Sequence, residues 1–383
     1  MKTATRGLID PFMAMEAFRE AALVSQSGAD VIHLSIGQPA TRPPQAVLEK
    51  VAQMALSDNL GYTDAPGIWP LREAIAAHYL AQYGLVVKPE QVFVTVGSSA
   101  AYMTALLAAF EVGDKVALVS PHYPASPNMM RALGIEPIIM PSSFADNFQP
   151  NVAMLKALPQ KPDGLVIASP SNPTGTVIHP AALAELTAYC EVEGIRIISD
   201  EIYHGITYGD VRASSVLEYS SQMIVTNSFS KYYLLPGWRL GWCVMPLPLV
   251  RNVESLLQNF YISPPTIAQY AALEILQCRK ELDAVVAGYQ RNRDWLLAEL
   301  PKAGFDHISP SEGAFYLYAD VSALTNDSHA FCQKMLREAH ICAVPGLDFD
   351  KAQGGRFIRF SFCGSYAHMQ QATQRLGQWM RNI

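Results

Sequence analysis

Between residues 91 and 245 the chain repeats one pattern. A short apolar run rich in β-branched residues is followed by turn or hydroxyl-bearing residues, and then by a helical stretch. The apolar runs are 91–96, 116–119, 164–168, 195–199, 223–226 and 240–245. Each is too short for a helix and too uniformly apolar for a strand with one wet face, so each reads as a buried strand. Helices are expected over 100–110 and 180–191. Strands alternating with helices fold as an α/β layer around a mainly parallel sheet. Such sheets take their ligands beyond the carboxyl ends of the strands.

The residues at those ends carry chemistry. Gly97-Ser98-Ser99 follows the first run and opens a helix, which is a geometry for a phosphate; a serine there also serves as a plain helix cap. Tyr123 stands between Pro121 and Pro124, where an aromatic ring can stack on a flat ligand or fill a corner. Asn172 lies in Ser169-Pro-Ser-Asn-Pro-Thr-Gly175, and Asp200 and Tyr203 close the next strand. Ser228 and Lys231 leave the strand after that, and Arg239 follows among glycines and tryptophans. Hydroxyls and a guanidinium make a phosphate pocket, and a lysine beside it can form an imine with an aldehyde. The cofactor that carries both a phosphate and an aldehyde is pyridoxal phosphate. No G-x-G-x-x-G or Walker lysine loop is present, so the dinucleotide and nucleoside triphosphate versions of the architecture lack their fingerprints.

Outside this core, apolar spacing predicts a helix over 10–24, with Pro11 at its first position, and a strand over 31–36 that ends at Gly37. Helices are expected over 43–54 and 68–83, joined by a turn-rich loop that carries Tyr62. A long helical stretch runs from 264 to 300 with a break near Cys278. The pattern then changes to α+β, with strands at 313–318 and 356–361 around a helix over 329–339, which marks a smaller second lobe. Arg359 shares one strand face with Phe357 and Ser361, and reads either as a ligand contact or as half of a structural ion pair.

A formal net charge of -6 with no basic cluster argues against nucleic acid and anionic membranes as partners. The six cysteines are scattered without metal or disulfide spacing, so no metal site is expected and a reducing compartment is the default. No signal peptide and no membrane-spanning run is evident, so the expected location is cytoplasmic.

Taken in order, these blocks resemble the class I/II pyridoxal phosphate-dependent aminotransferases of fold type I, the aspartate aminotransferase superfamily. The matching stretches are Ser169-Pro-Ser-Asn172-Pro-Thr-Gly, Ser199-Asp200-Glu-Ile-Tyr203, Ser228-Phe-Ser-Lys231 with Gly-Trp-Arg239-Leu-Gly, Gly61-Tyr62-Thr-Asp-Ala-Pro-Gly, and Arg359-Phe-Ser. The resemblance implies a large domain with a seven-stranded type of sheet at 43–285. It implies a smaller domain at 286–383, to which the arm at 1–42 contributes.

It also implies roles. Lys231 would form the Schiff base and then shuttle the substrate proton. Asp200 would pair with the pyridine nitrogen, and Asn172 and Tyr203 would donate to the ring oxygen. Ser98, Ser99, Ser228 and Arg239 would hold the phosphate, with Tyr123 stacked on the ring. Arg359 would grip the substrate carboxylate beside Gly37 and Asn172. Tyr62 would reach the phosphate of a partner subunit, so a homodimer with shared sites is implied.

One departure bears on substrate. Some dicarboxylate-specific members carry a lysine where this chain has Ser99, and no other cation is placed to read a distal carboxylate. An apolar side-chain pocket built from Phe12, Met13, Met15 and Phe18 is an alternative, as is a core role for those residues. The implied activity is exchange of an amino group between an L-amino acid and a 2-oxo acid. A carbon–sulfur β-lyase or a non-catalytic cofactor-binding regulator on the same fold are the alternatives.

Overall fold

The structure is a computed structural model and describes residues 2–382. It opens with helix α1 (Met13–Gln26), the short strand β1 (Ile32–His33) and helices α2 (Gln45–Ser57) and α3 (Trp69–Tyr83). The first helix starts later than its apolar spacing predicts, at Met13 rather than near Pro11. No local side chain caps it; instead the carboxylate of Asp348 accepts the N–H groups of Met13 and Ala14 at 2.9 and 3.1 Å. The expected strand over 31–36 shrinks to two residues, paired in parallel with β11 (Ile341–Cys342).

The alternating segment follows as β2 (Val92–Thr95), α4 (Ser98–Ala109), β3 (Lys115–Ser120), α5 (Ala125–Leu133), β4 (Glu136–Pro141) and α6 (Val152–Lys156). It continues with β5 (Gly164–Ala168), α7 (Pro180–Glu193), β6 (Arg196–Asp200), β7 (Ile224–Ser228) and β8 (Gly241–Val244). Among the described residues these strands form a seven-stranded sheet in the order β2-β8-β7-β6-β5-β3-β4. Pairings from β4 through β7 are parallel, and β8 runs antiparallel to both β7 and β2.

Both faces of this sheet are covered, as the uniform apolar runs require. Val94, Ile197, Val225 and Val244 project into one core with Leu71, Leu186 and Ile275. Their neighbours Phe93, Ile198, Ile224 and Cys243 project into another with Leu106 and Val253. The edge strand β4 carries Pro137 and Pro141, which lack the N–H groups an inner strand must donate. Those prolines also hide it in the sequence, where no strand is expected.

Helices α8 (Val250–Phe260), α9 (Thr266–Ile275) and α10 (Arg279–Glu299) come next, and the break expected near Cys278 separates the last two. The remainder contains β9 (His307–Ile308), β10 (Tyr316–Asp320), α11 (Ser328–Ala339), β11, β12 (Val344–Pro345), β13 (Phe357–Ser361) and α12 (Tyr366–Met380). Here the sheet is antiparallel, in the order β12-β13-β10-β9. Its core includes Phe315, Leu317, Ile358 and Phe360, joined by Ile32 and Leu34 from the other end of the chain.

Candidate active site

The chemically equipped strand exits meet at one edge of the large sheet. β3, β5, β6 and β7 are mutually parallel, and β2 points the same way because β8 is antiparallel to both of its neighbours. The register of β8 sets Gly241 opposite both Thr95 and Ser228, so Arg239, just ahead of that strand, arrives at the same edge.

An anion cradle forms where α4 begins. Gly97 is its N-cap at φ 79°, a conformation that side-chain-bearing residues avoid, and a Cβ there would lie 2.6 Å from Arg239 Nη2. Ser98 and Ser99 are the first residues of the helix and neither caps it. Both line the cavity together with Arg239, next to N–H groups that have no partner within the helix. Arg239 is itself held in the left-handed region at φ 54°. Ser228 sits one layer back, with its hydroxyl donating to Ser230 Oγ at 2.7 Å, and Ser230 is the serine of that loop that lines the cavity.

Lys231 and Asp200 face the same space. Lys231 Nζ donates to the Gly37 carbonyl at 2.5 Å. Burial pulls its pKa down to about 8, partly opposed by the neighbouring Cys363 and Asp200. Asp200 is pushed up to about 6 by burial, with the Ile202 N–H and Lys231 acting against that. The buried Tyr203 hydroxyl lies 2.8 Å from that of Tyr316.

Arg359 is buried and makes no ion pair among the described residues. Its guanidinium donates to Asn172 Oδ1 at 2.8 Å and to the Ser35 carbonyl at 2.7 Å. It lies over the rings of Tyr316 and Phe349 at 4.3 and 4.8 Å, and its Nε has no partner.

The cavity these groups enclose measures about 460 Å³, in the range of small-molecule sites. Phe12, Met15 and Phe18 form an apolar wall, with Phe12 edge-on to Tyr123 at 5.7 Å. Met13 is absent from that wall and lines a small pocket between α1 and α11 instead. Among the described residues the cationic side chains lining the cavity are Lys231, Arg239 and Arg359. Tyr62 is 85% exposed and lies outside. Tyr316 and Asp348 were not legible as site residues. Tyr316 reads as strand core, and Asp348 acts on a helix at the far end of the sequence. The donor set suits pyridoxal phosphate: a cradle closed to any Cβ for the phosphate, a lysine for the aldehyde, a carboxylate on the cavity wall for the ring nitrogen, and a guanidinium on the same cavity for an incoming carboxylate.

Comparison with known proteins points the same way. The sequence profile of the family described as "Aminotransferase class I and II" matches residues 29–376. The valine–pyruvate aminotransferase of Mycobacterium tuberculosis is 42% identical over 382 residues, covering 99% of this chain and 98% of that one. A crystal structure of an aminotransferase from Mycobacterium tuberculosis superposes with a TM-score of 0.98 at 41% identity, covering 100% of both chains. The aspartate aminotransferase of Thermus thermophilus with maleate gives a TM-score of 0.92 at 29% identity, covering 99% of this chain and 100% of that one.

Proposed function

The chain belongs to the class I and II aminotransferases, and from that premise we propose how its own residues exchange an amino group between an L-amino acid and a 2-oxo acid. It has the fold type I architecture and depends on pyridoxal phosphate. Bound in the cavity, the cofactor supplies an electron sink for the carbanion left when the substrate Cα–H bond breaks.

Lys231 would hold the cofactor aldehyde; with its pKa lowered to about 8, a usable fraction is neutral and nucleophilic at physiological pH. The same Nζ would take the substrate Cα proton and return it. Asp200 keeps the ring nitrogen protonated, and that cationic partner in turn favours the ionised carboxylate. Tyr203 and Asn172 would hold the ring oxygen, and Tyr123 would stack on the ring. Ser98, Ser99, Ser230 and Arg239 would make up the phosphate end, with Ser228 behind them donating to Ser230. Arg359 forks onto the substrate α-carboxylate beside Gly37. The observation that carries this reading is the convergence of Lys231, Asp200 and Arg359 on one cavity from separate strands.

The preferred substrates are monocarboxylic with apolar side chains. With Lys231, Arg239 and Arg359 all committed, no cation lining the cavity is left for a second carboxylate, and α1 offers Phe12, Met15 and Phe18. The valine–pyruvate activity named for the Mycobacterium tuberculosis relative agrees with this. The relatives described above are named aminotransferases, which favours neither the lyase nor the regulator alternative.

The working unit is a homodimer in which Tyr62 completes the partner's site. The Tyr62 loop is tied to α9 by the Thr266 hydroxyl donating to the Gly61 carbonyl at 2.6 Å, and Phe260 and Ile262, which precede α9 in the chain, are exposed. We divide the chain into an arm at 1–42, a large domain at 43–285 and a small domain at 286–383. A cytoplasmic location suits six cysteines that are all free and buried.

The test is an absorbance titration. Protein incubated with pyridoxal phosphate develops an imine band that is lost in Lys231→Ala. The band changes on addition of L-valine or a similar amino acid and recovers with a 2-oxo acid. Release of pyruvate with a thiol from a sulfur-bearing amino acid, without that cycle, overturns the reading in favour of a lyase.

A further inference from the structure

Tyr316 opens β10, is fully buried, and in sequence looks like one more core aromatic. Its side chain nevertheless touches several parts of the site. Its hydroxyl lies 2.8 Å from the Tyr203 hydroxyl. That same oxygen sits so close over Gly37 that a Cβ there would approach it to 2.2 Å. The Gly37 carbonyl is the one that receives Lys231 Nζ. The Tyr316 ring is also a floor for the Arg359 guanidinium, 4.3 Å away.

Two hydroxyls that share a hydrogen bond must divide their protons: one donates and the other accepts. Among the described residues neither hydroxyl has another hydrogen-bond partner. The Arg359 cation over the Tyr316 ring favours Tyr316 as the stronger acid of the pair. Burial raises the pKa of Tyr316 to about 12 with Arg359 opposing, while Tyr203 is driven well above the ordinary phenol range by burial and by Tyr316 itself.

We infer that Tyr316 is a positioning residue for transamination: its hydroxyl donates to Tyr203, which leaves the Tyr203 proton free and aimed at the ring oxygen of the cofactor. A phenol that accepts a hydrogen bond is a better donor through its own proton. Tyr316 thereby sets how strongly Tyr203 stabilises the ring oxygen as an anion, and so how tightly the neighbouring imine nitrogen keeps its proton. The inference rests on the functional reading above, in which Tyr203 faces that oxygen.

The experiment is a pH titration of the visible absorbance band of the protein loaded with pyridoxal phosphate, on wild type, Tyr316→Phe, Tyr203→Phe and the double variant. Tyr316→Phe should raise the midpoint by roughly half a unit to one unit, the scale of one neutral hydrogen bond. Tyr203→Phe should raise it further, and the double variant should match Tyr203→Phe alone, because Tyr316 acts through Tyr203. KM for the amino donor should stay at the wild-type value in Tyr316→Phe, which keeps the ring beneath Arg359, and rise in Tyr316→Leu, which removes it.

A midpoint unmoved in Tyr316→Phe overturns the inference, and so does a shift that adds in full to that of Tyr203→Phe. A raised KM at a fixed midpoint does so too, since it would leave Tyr316 acting on Arg359 alone. A wild-type protein that forms no band at all overturns the functional reading and this inference with it, so the two failures are distinguishable.

Discussion

Asp200 and Lys231 show burial acting in opposite senses on a carboxylate and an amine. Asp200 is raised from 3.8 to about 6, so its stabilising contribution is complete below the unfolded value and is lost as pH rises through 6. Lys231 is lowered from 10.5 to about 8, so its contribution is complete above 10.5 and is lost as pH falls through 8. Near neutral pH the cofactor-free protein therefore holds both groups in the form that burial disfavours. For Asp200 the cost is about 3 kcal/mol. Asp200→Asn should raise the thermal midpoint of the cofactor-free protein at neutral pH by roughly 2–5 °C while abolishing transamination. The gain should shrink as pH falls through 6 and vanish only below 3.8, where the carboxyl is protonated in the folded and the unfolded chain alike. A gain independent of pH would sink this account. Asp200 and Lys231 were legible as candidates because each stands at a strand exit with the side-chain type that a ring nitrogen or an imine would demand. Tyr316 was not, because its effect passes through another residue's proton.

Among the elements, α1 combines a wall of the cavity with a cap that is remote in sequence. Its periodicity was legible, but its start was not, since no local window contains Asp348. The buried strands of the large sheet were legible because uniform apolar runs leave few other folds. The edge strand β4 was not, because its prolines break the strand signal that an edge position tolerates. Loss of a cap costs about 0.5–2 kcal/mol. Asp348→Ala should therefore loosen Phe12, Met15 and Phe18 and lower kcat/KM by roughly 2- to 30-fold for large apolar donors. The loss should shrink progressively towards alanine and glycine as donors, and Asp348→Asn, which keeps one acceptor, should fall between. Steady-state kinetics over that series decides the matter; an equal loss for every donor would mean α1 does not read the side chain.

At the scale of the whole molecule, an aromatic side chain as exposed as Tyr62, at 85%, is accounted for if a partner covers it. If sites are shared, Tyr62→Ala and Lys231→Ala chains that are each impaired alone should complement when co-expressed. One of the two sites in every mixed dimer then receives both intact residues, giving about a quarter of wild-type activity from random pairing. Activity no greater than the average of the two parents would argue against a shared site. The pairing of β1 with β11 bears on something different, the order in which the chain can fold as it is made. The large sheet is built from consecutive segments and can assemble once β8 and the following helices have been synthesised. Ile32 cannot pair until Ile341 exists, so the apolar arm made first must stay unpaired through nearly the whole of synthesis. A ribosome that stalls late therefore leaves a folded large sheet carrying a loose hydrophobic N-terminus, the species in this protein's life most in need of a chaperone.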